Sequence, residues 1–302
     1  MRNRFIQDLV TKAETDPRII LVVGDLGYGV VEPFAKRFPD RFFNSGVAEQ
    51  NMMGLAAGIA SEGYHVFVYS IANFPIFRCA EQIRNDVCYH QLNVTVVAVG
   101  GGLAYGNLGY SHHGVQDYSF MRSLPNLKIL SPGDPIEVSK CLDYSFNNSG
   151  PAYLRLGKAG EANFSSHDVR MESGIFNVVK HTRKAKTAVI TTGAVLQDVM
   201  TFYHSGMNDD VDILTCPIWG MDESGSVEKQ LSQYSRIVSV EDHLQSGGFG
   251  SWLLESLAPS SREKLRIVGL HNDVCGMVGS QQSLHEQGGI SKSIINKYLS
   301  QT

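Results

Sequence analysis

The chain has 302 residues, room for two domains of ordinary size, each able to bury its own core. Hydrophobic residues make up 43% and charged residues 19%, a globular balance with no composition shift toward disorder. The formal net charge is −4 with no basic block, so nucleic acid and anionic membranes are not expected partners.

Nothing behind Met1-Arg2-Asn3-Arg4-Phe5 is apolar enough for a signal peptide, and no apolar run approaches the ~20 residues that span a bilayer. Short β-branched runs then alternate with longer amphipathic stretches. Ile19–Val23, Val66–Ser70, Val94–Val99 and Lys128–Leu130 read as strands, nearly continuous apolar runs suited to a parallel sheet covered on both faces. Between them, Ala48–Glu62, Phe77–His90 and Pro135–Phe146 read as helices. Asp134 fits an N-cap, with Pro135 at the first helical position and Glu137 three residues after the cap. Pro151–Leu156 reads as a closing strand. From about Gly157 to Lys186 the chain is polar without a helical period, and a linker is expected over 166–186.

The pattern restarts with Thr187–Thr191, a helix from Ala194, Val211–Thr215, Arg236–Val240, a helix from Gly250, and Leu265–Gly269. The expected fold is two consecutive α/β domains with mostly parallel sheets, residues 1–165 and 187–302. Cys79, Cys88, Cys141, Cys216 and Cys275 are odd in number and never at metal-ligand spacing. That pattern favours reduced thiols in a cytoplasmic protein.

Four segments could carry chemistry. Gly46-Val47-Ala48-Glu49-Gln50-Asn51 leads into a Gly- and Ala-rich helix (Gly54, Ala56, Ala57, Gly58, Ala60) that suits close subunit packing. The simplest role for Glu49 is to complement the helix dipole. The run from Gly100 to Gly114 follows a strand and holds His112 and His113. It therefore lies at the carboxyl edge of a sheet, where open α/β folds place ligands. Adjacent histidines can face different ways, so only one need be catalytic, and no ligand spacing nearby supports a metal. Phe74 and Phe77 stand three residues apart and could share one side of a helical turn, with core packing their simplest use. Glu241-Asp242-His243, followed by Gly247-Gly248-Phe249-Gly250, either offers amides to an anion or makes a tight structural corner. Gly24-Asp25-Leu26 imitates a metal-diphosphate signature, but it lacks the final glycine and reads as strand-end chemistry.

In order, these segments resemble the C-terminal half of transketolases and of 1-deoxyxylulose-5-phosphate synthases. The resemblance runs from Phe38-Pro39-Asp40-Arg41-Phe42-Phe43-Asn44-Ser45-Gly46-Val47-Ala48-Glu49-Gln50-Asn51 through Gly109-Tyr110-Ser111-His112, Leu124-Pro125-Asn126 and Ser131-Pro132-Gly133-Asp134. It continues through Tyr153-Leu154-Arg155-Leu156-Gly157-Lys158 to Glu241-Asp242-His243 and Gly247-Gly248-Phe249-Gly250. It implies a thiamine-diphosphate pyrimidine domain followed by a transketolase C-terminal domain. Glu49 matches the glutamate that hydrogen-bonds the aminopyrimidine, a proton relay serving the cofactor. Phe77, with Phe74 beside it, matches the aromatic that stacks on that ring. His112 matches a histidine of the substrate channel. Arg4 and Lys158 fall near basic residues used for the sugar phosphate, and His113 is a further candidate for the substrate.

The resemblance also marks departures. Gly100 stands where ordinary transketolases carry a histidine, Leu108 stands in place of an aspartate, Tyr110 in place of proline, and Lys158 in place of arginine. An altered sugar, branched, deoxy or nucleotide-linked, is as expected as a pentose phosphate. No segment matches the family's diphosphate and Mg²⁺ domain. The implied protein is thus one subunit of a split transketolase-like enzyme moving a two-carbon ketol unit between sugars. It would self-dimerise and work in an α₂β₂ assembly with a separate N-terminal-half subunit that holds most of the Mg²⁺ and diphosphate. Two alternatives share the layout or the fold: a beta subunit of a 2-oxo acid dehydrogenase decarboxylase, and a non-catalytic scaffold subunit.

Overall fold

The computed structural model describes residues 1–207, 210–220 and 225–300. Its first sheet contains β1 (Ile19–Val23), β2 (Phe42–Asn44), β3 (His65–Ile71), β4 (Val94–Val99), β5 (Lys128–Leu130) and β6 (Ala152–Leu156). The second contains β7 (Asn177–Lys180), β8 (Thr187–Thr191), β9 (Val211–Thr215), β11 (Arg236–Leu244) and β12 (Leu265–Leu270). The short β10 (Ile218–Trp219) leaves the second half of the chain to pair with β5, giving the order β10-β5-β6-β4-β3-β1-β2. The second sheet runs β12-β11-β8-β9-β7. All pairings are parallel except β10 with β5 and β7 with β9.

The α/β expectation, with two mostly parallel sheets in series, holds. β1, β4 and β6 are buried along their whole length, as apolar runs covered on both faces must be. Helix Arg2–Thr15 covers one face of the first sheet, setting Phe5 against Phe67 and Tyr69. Helix Glu49–Ser61 covers the other, with Met52, Met53 and Ala56 packed among Ile20, Val22, Val66 and Val68. That same apolar cluster continues through Tyr118, Trp219, Phe249 and Trp252 to Ala188, Ile190 and Ile237 of the second sheet. A continuous core therefore joins the two sheets.

The stretch expected as a linker, 166–186, is not wholly irregular, because β7 lies in it and closes the second sheet from the edge. The helix expected over Phe77–His90 is interrupted. Asn73–Arg78 ends where Cys79 leaves the helical region at φ −130°, ψ 33°, and Ile83–Cys88 forms a π-helical turn. Such wide turns concentrate at functional positions. No helix among the described residues is long and apolar enough to cross a membrane.

Candidate active site

Three successive loops at the carboxyl edge of the first sheet bring the site together. The turn after β2 leads to Glu49, the segment after β3 carries Phe74, Phe77 and Arg78, and the loop after β4 carries His112. Parallel pairing of β4, β3, β1 and β2 puts all three on one side. The turn into Glu49 is braced from β1. Asp25, at φ 56°, donates its N–H to the Asn44 side chain at 3.0 Å, and the same oxygen accepts from Gly46 N–H at 3.0 Å. Asp25 also accepts from Asn44 and from the Tyr28 hydroxyl, which holds its carboxyl below the usual range. These contacts are strand-end chemistry, in keeping with the reading of Gly24-Asp25-Leu26.

Glu49 opens its helix and is only 5% exposed, yet it does more than face a dipole. Arg78 donates from Nη1 to Glu49 Oε1 at 2.5 Å. The same guanidinium lies 4.1 Å from the centre of the Phe74 ring. Phe74 in turn meets the His112 ring edge-on at 5.2 Å. Asn73 donates to the Ser111 carbonyl at 2.8 Å, and Ser111 Oγ lies 3.0 Å from His112 Nδ1. Glu49, Arg78, Phe74 and His112 are thus one contact chain, while Phe77 presents a ring that is 49% exposed. Burial, then the Arg78 cation, holds the His112 imidazole below its ordinary range, so it is neutral near pH 7 and able to accept a proton.

The other expected substrate residues are dispersed. His113 is fully buried, its Nε2 3.5 Å from the Gly106 carbonyl, so the two histidines do face different ways. Arg4 donates to Asp8 at 2.9 Å and Ser139 at 2.7 Å, in a cleft between helices Arg2–Thr15 and Pro135–Asn147 that shares no residue with the Glu49 group. Lys158 is exposed, with its Nζ 5.0 Å from the Tyr105 ring centre. Tyr105 also explains Gly100: a Cβ there would lie 2.1 Å from that ring, and the backbone sits at φ +74°. A histidine at this position would force the Tyr105 ring aside and strain the backbone.

The His112 loop is pinned by buried charge. Asp117 receives Arg155 Nε at 2.6 Å and the Tyr153 hydroxyl at 2.6 Å, while Arg155 Nη2 donates to the Gly114 carbonyl at 2.7 Å and the Asp242 carbonyl at 2.9 Å. From the second sheet, the Asp242 carboxylate accepts Leu103 N–H at 3.2 Å and occupies the space a Cβ on Gly102 would need. The Glu241 segment is the structural corner and not an open anion site. Strand β11 runs through it, and the Glu241 carboxylate itself takes Phe249 N–H at 2.6 Å and Gly250 N–H at 2.9 Å. Burial pushes Glu241 up to about 8 against those two hydrogen bonds.

Sequence reasoning missed Arg78 and Tyr105. The one local hint for Arg78 is a cation directly after the Phe74/Phe77 pair.

Residues 1–160 match the family model "Transketolase, pyrimidine binding domain". The chain is 28% identical to one subunit of the apulose-4-phosphate transketolase of Actinobacillus succinogenes, over 99% of this chain and 97% of that one. It is 30% identical to a transketolase C-terminal section of Methanocaldococcus jannaschii, over 99% and 95%. Among solved structures it superposes on one described as "Split gene transketolase, inactive beta4 tetramer", with TM-score 0.81, 28% identity, and coverage of 99% and 96%. The fold, the ordered site segments and these full-length matches agree: the chain belongs to the transketolase family, as the C-terminal subunit of a split transketolase-like enzyme.

Proposed function

We propose that this subunit transfers a two-carbon ketol unit between sugars or sugar phosphates, together with a separate diphosphate-binding subunit. The observation that carries the reading is the convergence of Glu49, Phe74, Phe77 and His112 on one sheet edge. The transketolase family depends on thiamine diphosphate, and these residues fit its pyrimidine ring: a buried carboxylate for the ring's N–H edge and an exposed aromatic for its face. When bound, the cofactor supplies the nucleophilic carbon that takes up the ketol unit. Glu49 accepts a proton or hydrogen bond from the ring edge, with its position fixed by the first turn of its helix. Phe77, backed by Phe74, holds the ring plane. His112 uses Nδ1 to meet Ser111, leaving Nε2 to accept or return the proton of a sugar hydroxyl. Mg²⁺ and the diphosphate fall to the partner subunit in this reading, because Gly24-Asp25-Leu26 lacks the final glycine of the metal-diphosphate signature.

That four copies of a similar chain are described as inactive supports the need for a second subunit. The relative named for apulose 4-phosphate, together with Tyr105 over Gly100, supports a sugar other than the usual pentose phosphates. Reconstitution with the diphosphate-binding half, Mg²⁺ and thiamine diphosphate is the test. Appearance of a ketose two carbons longer than an aldose acceptor is expected. Oxidation of a 2-oxo acid with an artificial electron acceptor, without ketol transfer, would contradict the reading and favour a decarboxylase.

A further inference from the structure

We propose that Arg78 is a placeholder for the cofactor ring: in the free subunit its guanidinium occupies the Glu49 carboxylate that later receives the pyrimidine edge, resting on Phe74 beside the Phe77 face, and ring binding displaces it. The inference rests on the cofactor reading above and adds a residue that reading does not use.

Geometry is the first support. Arg78 touches Glu49 Oε1 at 2.5 Å and lies 4.1 Å from the centre of the Phe74 ring, so one planar cation holds the edge partner and the aromatic that backs Phe77. The guanidinium donates N–H to the same carboxylate that the pyrimidine ring nitrogen must meet. The two therefore compete for one seat.

Mobility is the second. Glu49 is 5% exposed and fixed in a helix, whereas the Arg78 side chain is 46% exposed. Arg78 is also the last residue of its short helix, and Cys79 after it has already left helical geometry. The guanidinium reaches water by side-chain rotation alone, with no helix to rewind. The third support is the cost of vacancy. A carboxylate as buried as Glu49 is expensive to leave unpaired, so the subunit needs a counter-charge until the ring arrives. Arg78 supplies it.

Displacement has a measurable consequence. A half-exposed pair of this kind contributes modestly, so removing the competitor should tighten cofactor binding by about fivefold. Arg78→Ala and the longer Arg78→Gln should both lower the Kd for thiamine diphosphate in the assembled enzyme, measured by calorimetry with Mg²⁺. The isolated chain gives an independent readout: phenylglyoxal, mapped by mass spectrometry, should modify Arg78 several-fold faster in Glu49→Gln than in the wild type. Unchanged or weakened cofactor binding in a folded Arg78 variant would overturn the proposal, making Arg78 a bystander or a direct cofactor contact. Equal modification rates would overturn it too, since Glu49 would not be holding the guanidinium. If no assembled form binds thiamine diphosphate, the cofactor reading and the placeholder fall together, while the modification rates still report whether the pair exists.

Discussion

Asp134 gathers three backbone N–H groups with one carboxylate. Oδ1 caps helix Pro135–Asn147 through Glu137 N–H at 2.9 Å, and Oδ2 accepts Phe164 and Ser165 N–H at 2.7 and 2.6 Å. Its truncation to alanine removes a cap worth ~1 kcal/mol and strands two further donors, so a loss of at least about 2 kcal/mol is expected. Asp134→Asn retains the cap oxygen and should fall between. Urea unfolding of the three proteins checks the order, and an alanine variant as stable as the wild type would contradict it. The cap was legible because Asp-Pro-x-Glu is a local pattern. Its partners thirty residues away were not, because nothing in Phe164 or Ser165 points back to it. The same division governs the site. Glu49, Phe74, Phe77 and His112 stood in ordered motifs, whereas Arg78 and Tyr105 act by reaching across loops that only the fold brings together.

Elements followed the same logic. Ile19–Val23, Val94–Val99, Lys128–Leu130, Thr187–Thr191 and Val211–Thr215 appear with the bounds their apolar runs imply, because a strand buried on both faces announces itself. Helix Arg2–Thr15 lies outside the expected elements, although Phe5, Ile6, Leu9 and Ala13 mark its buried face at helical spacing. β10 has two residues, too few for any periodicity, and exists because β5 offers an edge. The break after Arg78 also had no signature. Phe77–His90 is amphipathic throughout, and the π-helical turn is chosen by packing of Ile83, Val87 and Cys88 against the core.

Across the whole molecule, the second sheet holds the loop that carries His112 through buried charge. Asp242 meets Leu103 on one side and His285 on the other, with His285 Nε2 3.0 Å from Asp242 and Nδ1 3.5 Å from Asp198. These are ion-pair distances; neither contact has the alignment of a hydrogen bond. Burial alone would depress His285, but Asp242 and Asp198 outweigh it and raise it to about 10. Because the folded value lies above the unfolded one, near 6.5, the folded state binds more protons between them. This contribution to stability is full below about pH 6.5 and is lost as pH rises toward 10. Thermal unfolding should therefore show Tm falling across that window, with a shallower fall in Asp242→Asn. An identical pH slope in the variant would remove the pair from the account.

The central claim is that Glu49 acts on the cofactor rather than merely closing a helix end. Glu49→Gln keeps the size and loses the charge, so the fold should survive. In the assembled, cofactor-loaded enzyme, hydrogen–deuterium exchange at the thiazolium carbon of thiamine diphosphate reads the claim directly and needs no knowledge of the sugar. A fall of ~10²-fold or more is predicted, the scale of a lost acid–base contribution. Exchange near the wild-type rate, with only the ~0.3–1 kcal/mol stability loss of a helix-dipole residue, would contradict it.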